Sequence, residues 1–343
     1  MFTEEHMTEE QLNERLCTPS EKLIADIAKI TGDVIILGAG GKMGPSLAVL
    51  CQRAFERAGL ARRVIAVSRF SDPQTLQYLK DNRVEAVAAD LLEPGALDAL
   101  PDADNVIYMA GRKFGTTGGE ALTWAHNAWL SAKAAERYRG KKTLVFSSGN
   151  IYPVQPVRCG GATEETVPVP AGEYAMSVLA RERIFEYAAM QYHTPVLMYR
   201  LNYAVDLRYG VLYDIAERVF RGEEISLEMP VFNCIWQGDA NEAALRLLPY
   251  ASEDVAIFNV SGPETASVRQ TALEMGRLLG KEPKFSGAEG ETAYFSNCGK
   301  YAALCGYPSV PLNRLIEWQT EWIQSGGRSL NKPTHFEEGK GKY

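Results

Sequence analysis

The chain has 343 residues, 46% hydrophobic and 23% charged, with a formal net charge of −7 at pH 7. That is ordinary globular composition, in a chain long enough to bury a large core without staples. The acidic balance argues against nucleic acid as a partner, and no apolar run approaches the length of a membrane span. The six cysteines, Cys17, Cys51, Cys159, Cys234, Cys298 and Cys305, include no CxxC pair and read as reduced thiols. The start, MFTEEHMTEEQLNERL, is acidic and has no apolar signal core, so a cytoplasmic protein is expected.

Residues 1–16 read as a loose terminus, with a further helix or an oligomer-contact arm as alternatives. Thr18-Pro19-Ser20-Glu21 fits an N-cap, a proline at N1 and a glutamate at N3, opening the amphipathic helix EKLIADIAKI. Strand VIIL (34–37) then runs through a glycine-rich turn into a helix over about 42–58. Strand 64–68, a helix near 73–80, strands 84–89 and 105–110, helix 120–138, strand 143–148, helix 173–191 and strand 195–201 follow. Short valine- and isoleucine-rich strands alternating with helices predict a parallel sheet covered on both faces. After residue 203 the rhythm changes: helices near 208–221 and 238–248, strands 224–229 and 256–262, a helix capped near Ser267, and a mostly helical 293–328. The expected organisation is a helical extension (1–32), a dinucleotide-binding core (33–203), sheet completion with a small substrate lobe (204–328), and a polar, loose tail (329–343).

The turn VIILGAGGKMG carries Gly38, Gly40, Gly41 and Gly44, with Lys42 and Met43 inside it. One glycine makes the tight turn, another admits a pyrophosphate close to the backbone, and the last lets helix pack on strand. The following helix N-terminus offers free N–H groups to phosphates. In this strand–turn–helix context the motif predicts a Rossmann-type α/β fold with a bound dinucleotide; a purely structural turn is the alternative. The second strand ends in Ser68-Arg69-Phe70, without the acidic residue that would take an NAD ribose hydroxyl. Arg69, helped by Ser68, suits a 2′-phosphate, which favours NADP with NAD possible; stacking on adenine and exposure to solvent are alternatives for Arg69. Asp90 ends the third strand, either to accept from the adenine amino group or to cap its own loop. Leu91 and Ala110 complete the expected cofactor contacts.

These residues give the chain its resemblance to the extended short-chain dehydrogenase/reductase family, the NAD-dependent epimerase/dehydratase group, over roughly 34–325. The marks are GAGGKMG, AAD (88–90), MAGRKFG (109–115), FSSGNIY (146–152), YAMSVLARERIFE (174–186) and IFNVSG (257–262). The resemblance implies action on a sugar or nucleotide-sugar, a homodimer through paired helices, Lys113 against the cofactor phosphate, and Tyr174 as general acid/base. The chain departs from the pattern twice. Val178 stands where the family carries the lysine that lowers the tyrosine pKa, and Gly149 stands where it carries a serine or threonine. Ser148 and Asn150 are the substitutes for the missing hydroxyl. Arg181, Arg183 and Arg200 are the nearby cations; none stands at the lysine's helical phase apart from Arg181, one turn below and pointing the long way round. Lys113 and a group from the lobe are further sources of rescue.

Asn202, Tyr203 and Arg208, at the crossing into the lobe, are the substrate candidates, with Tyr209 beside Arg208 as a further contact to an anionic or sugar group and a solvent-facing Arg208 as the alternative. The dispersed histidines give no metal cluster. Two functions follow: an NAD(P)-dependent oxidoreductase or epimerase with Tyr174, Ser148 and Asn150 as its catalytic set, or a non-catalytic NADP(H)-binding sensor or scaffold with a degenerate site.

Overall fold

The computed structural model describes residues 6–113, 115, 118–339 and 341. Seven parallel strands form the central sheet: β1 (Val34–Leu37), β2 (Val64–Ser68), β3 (Glu85–Ala88), β4 (Asn105–Tyr108), β5 (Lys142–Ser148), β6 (Val196–Leu201) and β7 (Ala256–Val260). Their order is β7-β6-β5-β4-β1-β2-β3, a Rossmann-type arrangement whose switch point lies between β1 and β4. Strand residues alternate between two cores. Val34 and Ile36 pack into one, Ile35 and Leu37 into the other, so each face must be covered by helices.

The helices are α1 (Glu9–Cys17), α2 (Glu21–Asp26), α3 (Gly44–Arg57), α4 (Pro73–Asp81), α5 (Glu120–Trp124), α6 (Leu130–Arg137), α7 (Gly172–Tyr192), α8 (Val211–Arg221), α9 (Gln237–Leu247), α10 (Val268–Leu279), α11 (Gly299–Cys305) and α12 (Leu312–Gln324). A π turn, Ala125–Trp129, joins α5 to α6. Helices α8, α10 and α12 pack together, and their buried faces join the core that also covers one face of the sheet. Among the described residues, no helix is long and apolar enough to cross a membrane.

Both chain ends differ from expectation. The terminus read as loose contains α1, capped by a reciprocal Thr8–Gln11 box, with Leu12, Leu16 and Cys17 buried against the core. Ser20, not Thr18, caps α2, its Oγ accepting from the Leu23 N–H at 3.1 Å. Thr18 instead donates to the Glu14 carbonyl at the end of α1. The tail read as loose buries Thr334 and Phe336, and the Leu330 N–H donates to the Arg208 carbonyl. An apolar stripe drives α1, and one phenylalanine anchors an otherwise polar tail. All six cysteines are free, and five are buried.

Candidate active site

The glycine turn sits at the C-terminal edge of β1 and opens α3. Gly38 has φ +92°, and a Cβ there would come within 2.5 Å of the Ala110 backbone. At Gly44 a Cβ would lie 2.3 Å from the Ala39 carbonyl oxygen, so this glycine sets the packing of helix on turn. Gly40 has room for no side chain because the Ser68 hydroxyl lies 2.5 Å from its Cβ position. Gly41 differs: its Cβ would meet nothing nearer than 3.7 Å, which leaves its face open to an approaching ligand. The Met43 side chain turns into the core.

A crevice of about 270 Å³ runs from this turn over the ends of β2 and β3, lined by Gly40, Ser68, Arg69, Asp90, Leu91 and Ala110. Arg69 is 67% exposed, with a guanidinium nitrogen 3.9 Å from an Asp90 oxygen. Asp90 accepts from the Leu92 N–H at 3.1 Å, the capping geometry of its own loop. This crevice shares Gly38, Gly41, Met109 and Gly111 with a second cavity of about 390 Å³.

The second cavity gathers Tyr174, Ser148, Asn150, Asn202, Tyr203 and Lys113. Ser148 ends β5, and its Oγ donates to Asn150 Oδ1 at 3.1 Å while accepting from the Asn150 N–H at 3.2 Å. Ser148 and Tyr174 line the same cavity. Burial raises the Tyr174 pKa above that of a free phenol, and Arg181 and Ser148 oppose the rise. The glycine at 149 has a steric reason. A Cβ there would lie 3.1 Å from Asn202 Oδ1, and Asn202 is fixed by its amide donating to Asn233 Oδ1 at 2.8 Å. The hydroxyl facing Tyr174 therefore comes from residue 148.

Val178 is 1% exposed and packs with Ile151, Tyr152 and Ala162, an apolar niche that would penalise an ammonium. The Arg200 side chain is spent on the buried Glu182 carboxylate. Arg183 pairs with Glu186 at the surface. Arg181 lines the cavity.

Cations crowd the lobe side. Lys42 leaves the glycine turn, donates to the Ala204 carbonyl at 2.8 Å and lies 3.7 Å above the Tyr209 ring centroid. Burial pushes its pKa down to about 7, and that of Lys113 down to about 8. The Lys113 ammonium is 5.8 Å from the Tyr174 ring centroid. Lys332 and Thr334 reach the same cavity from the tail, which the Thr334 N–H anchors by donating to Asp214. Arg208, expected at the substrate, points elsewhere: it pairs with Asp206 and Glu9 and so ties α1 to the lobe. Asn127, Lys332 and Thr334 escaped sequence reasoning, since their neighbours in the cavity lie far away in the chain, whereas Tyr209, named beside Arg208, does line the cavity. A π turn, a common accompaniment of functional sites, is legible only in three dimensions for Asn127.

The open face of Gly41, the α3 N-terminus and the paired crevices are of a kind that could hold a dinucleotide. The model of the NAD dependent epimerase/dehydratase family matches residues 34–208. No curated protein matches the chain. Among solved structures, UDP-glucuronic acid 4-epimerase from Bacillus cereus in complex with NAD is 17% identical, with TM-score 0.70, covering 85% of this chain and 99% of its own. UDP-glucose 4-epimerase from Thermotoga maritima with UDP-glucose is 19% identical, with TM-score 0.68, covering 86% and 99%. dTDP-glucose 4,6-dehydratase from Bacillus anthracis in complex with NAD is 15% identical, with TM-score 0.71, covering 86% and 97%.

Proposed function

The chain belongs to the NAD dependent epimerase/dehydratase family, and on that premise we propose that it is an NAD(P)-dependent epimerase or oxidoreductase acting on a hydroxyl or carbonyl of a nucleotide-sugar. The observation that carries this reading is the meeting of Tyr174, Ser148 and Asn150 in a cavity continuous with the glycine turn. When bound, the nicotinamide nucleotide takes up and returns the hydride. Tyr174 takes the proton of the reacting hydroxyl and gives it back to the carbonyl oxygen. Ser148 holds that oxygen beside the phenol, and Asn150 fixes the Ser148 hydroxyl. Asn202 and Tyr203 line the sugar space. Lys42, Lys113 and Lys332 supply local positive charge for an anionic substrate, which the acidic chain as a whole does not.

NADP is the proposed preference, with Arg69 at the 2′-phosphate; the solved relatives named above with a cofactor carry NAD. One experiment tests both parts. Purified protein is incubated with UDP-glucose or UDP-glucuronic acid and either nucleotide, and products are followed by NMR. Conversion of a nucleotide-sugar is expected, with tighter NADPH than NADH binding in the native chain and a narrowed gap in Arg69→Ala. Binding without conversion across a nucleotide-sugar panel would favour a sensor or scaffold. Equal affinities for the two nucleotides would remove Arg69 from the cofactor reading.

Leu122, Trp129, Met176, Tyr187 and Met190 are exposed apolar side chains along α5, the π turn and α7. A second copy of this chain is the proposed partner for that face, and a single-chain mass in sedimentation would refute it.

A further inference from the structure

We propose that Arg181 is a positioning cation of this site, its guanidinium held at the cavity wall to favour the ionised form of Tyr174. The inference rests on Tyr174 being the acid/base.

Tyr174 and Arg181 stand seven residues apart on α7, two turns or about 10 Å along the axis. The long arginine nonetheless reaches the cavity that Tyr174 lines. The guanidinium is fixed from two sides. Nη1 donates to the Phe146 carbonyl at 2.8 Å, and Nη2 donates to Asn127 Oδ1 at 3.0 Å. The Asn127 amide is itself fully engaged, accepting from the Arg112 N–H and donating to the Arg112 carbonyl and Ser177 Oγ. Gly111 leaves the room: a Cβ there would lie 2.5 Å from Arg181 Nη2. Arg181 is 5% exposed, and these acceptors are neutral oxygens that leave its charge uncancelled. A cation desolvated on those terms favours any negative charge that forms in the cavity beside it.

Other charged and titratable groups face Tyr174 from every side. Lining the same cavity are Arg112 and Lys113 after β4, Lys42 in the glycine turn, Tyr203 and Tyr209 at and after the end of β6, Lys332 from the tail, and the Ser148 hydroxyl at the end of β5, with Asp214 behind Thr334. Lys42 and Lys113, pushed down to about 7 and 8, lose charge in the range where a phenol begins to ionise. A guanidinium stays charged throughout. Arg181 is therefore a buried cation that persists when Tyr174 must act as a base, and Val178 is free to serve packing.

The test reads the tyrosine directly. Protein carrying 13Cζ-tyrosine is titrated by NMR with and without NAD, Tyr174 being assigned by its absence in Tyr174→Phe. Arg181→Met is expected to raise the Tyr174 pKa by about one to three units and to move the acid limb of kcat/KM with it. Gly111→Ala displaces the guanidinium from an exposed loop position without deleting it, and should shift the same titration in the same direction even where Arg181→Met does not fold. Arg181→Lys should restore part of the shift. A Tyr174 titration unmoved in the folded variants overturns the proposal. Turnover retained in Tyr174→Phe would instead overturn the acid/base reading, so the two failures are distinct.

Discussion

Tyr174→Phe is expected to lower turnover by about 10²–10⁴-fold while leaving nicotinamide-nucleotide binding intact. The substitution removes one oxygen from a half-buried side chain and keeps the ring that shapes the cavity. The lost oxygen belongs to a side chain that lines the same cavity as Ser148, Asn150, Asn202 and the glycine turn. The dinucleotide contacts proposed for the glycine turn and the β2–β3 crevice do not involve that oxygen, so titration of NADH or NADPH fluorescence should give near-native affinity. A fall confined to kcat is the signature of an interaction made in the transition state. Turnover within a few-fold of native would remove Tyr174 from the chemistry and leave the fold assignment untouched.

The second large effect is on stability. Glu182→Ala should destabilise the protein by about 3–5 kcal/mol, measured by urea or thermal unfolding. Glu182 on α7 and Arg200 on β6 have side chains 0% and 3% exposed and pair at 2.8 Å. Arg200 Nε also donates to Glu182 at 2.9 Å, and the Ser147 hydroxyl donates to the same carboxylate at 2.5 Å. Arg200 continues the network by donating to the Tyr152 hydroxyl, which donates to Asn259 on β7. Removing the carboxylate leaves a guanidinium buried without its counter-charge, which is far costlier than the pair is stabilising. The double variant Glu182→Leu with Arg200→Met should recover part of the loss, because it deletes both charges and keeps volume. A single variant as stable as the native protein would show that the network is not what locks α7 to the sheet. The network also fixes the strand end that presents Ser148, so the single variant should weaken the site even where it folds.

Much of this molecule is legible from its sequence. Apolar strands between helices specify the parallel sheet and its two cores. GAGGKMG specifies the phosphate turn, because its demands fall on the backbone of adjacent residues. Ser267 was legible as a cap for the same reason, its partner lying three residues on. The departures at Val178 and Gly149 were visible too, but not their meaning. Gly149 is explained by Asn202, and Val178 by the niche of Ile151, Tyr152 and Ala162. Arg208 looked like a substrate contact because it follows the crossing into the lobe. Glu9, almost two hundred residues away, claims it instead.

The sequence by itself determined what depends on neighbours along the chain: strand and helix periods, the glycine turn, and the placing of Ser148 and Tyr174 at the ends of their elements. Only the tertiary structure decided where the long side chains go and what becomes of the chain ends. Arg181, Arg183 and Arg200 lie within twenty residues of one another, yet one lines the cavity, one lies at the surface and one is buried in the core. The physical reason is that a guanidinium carries its charge at the end of a flexible stem. Its direction is set by acceptors such as the Phe146 carbonyl, Asn127 and Glu182, which the fold brings together from other elements.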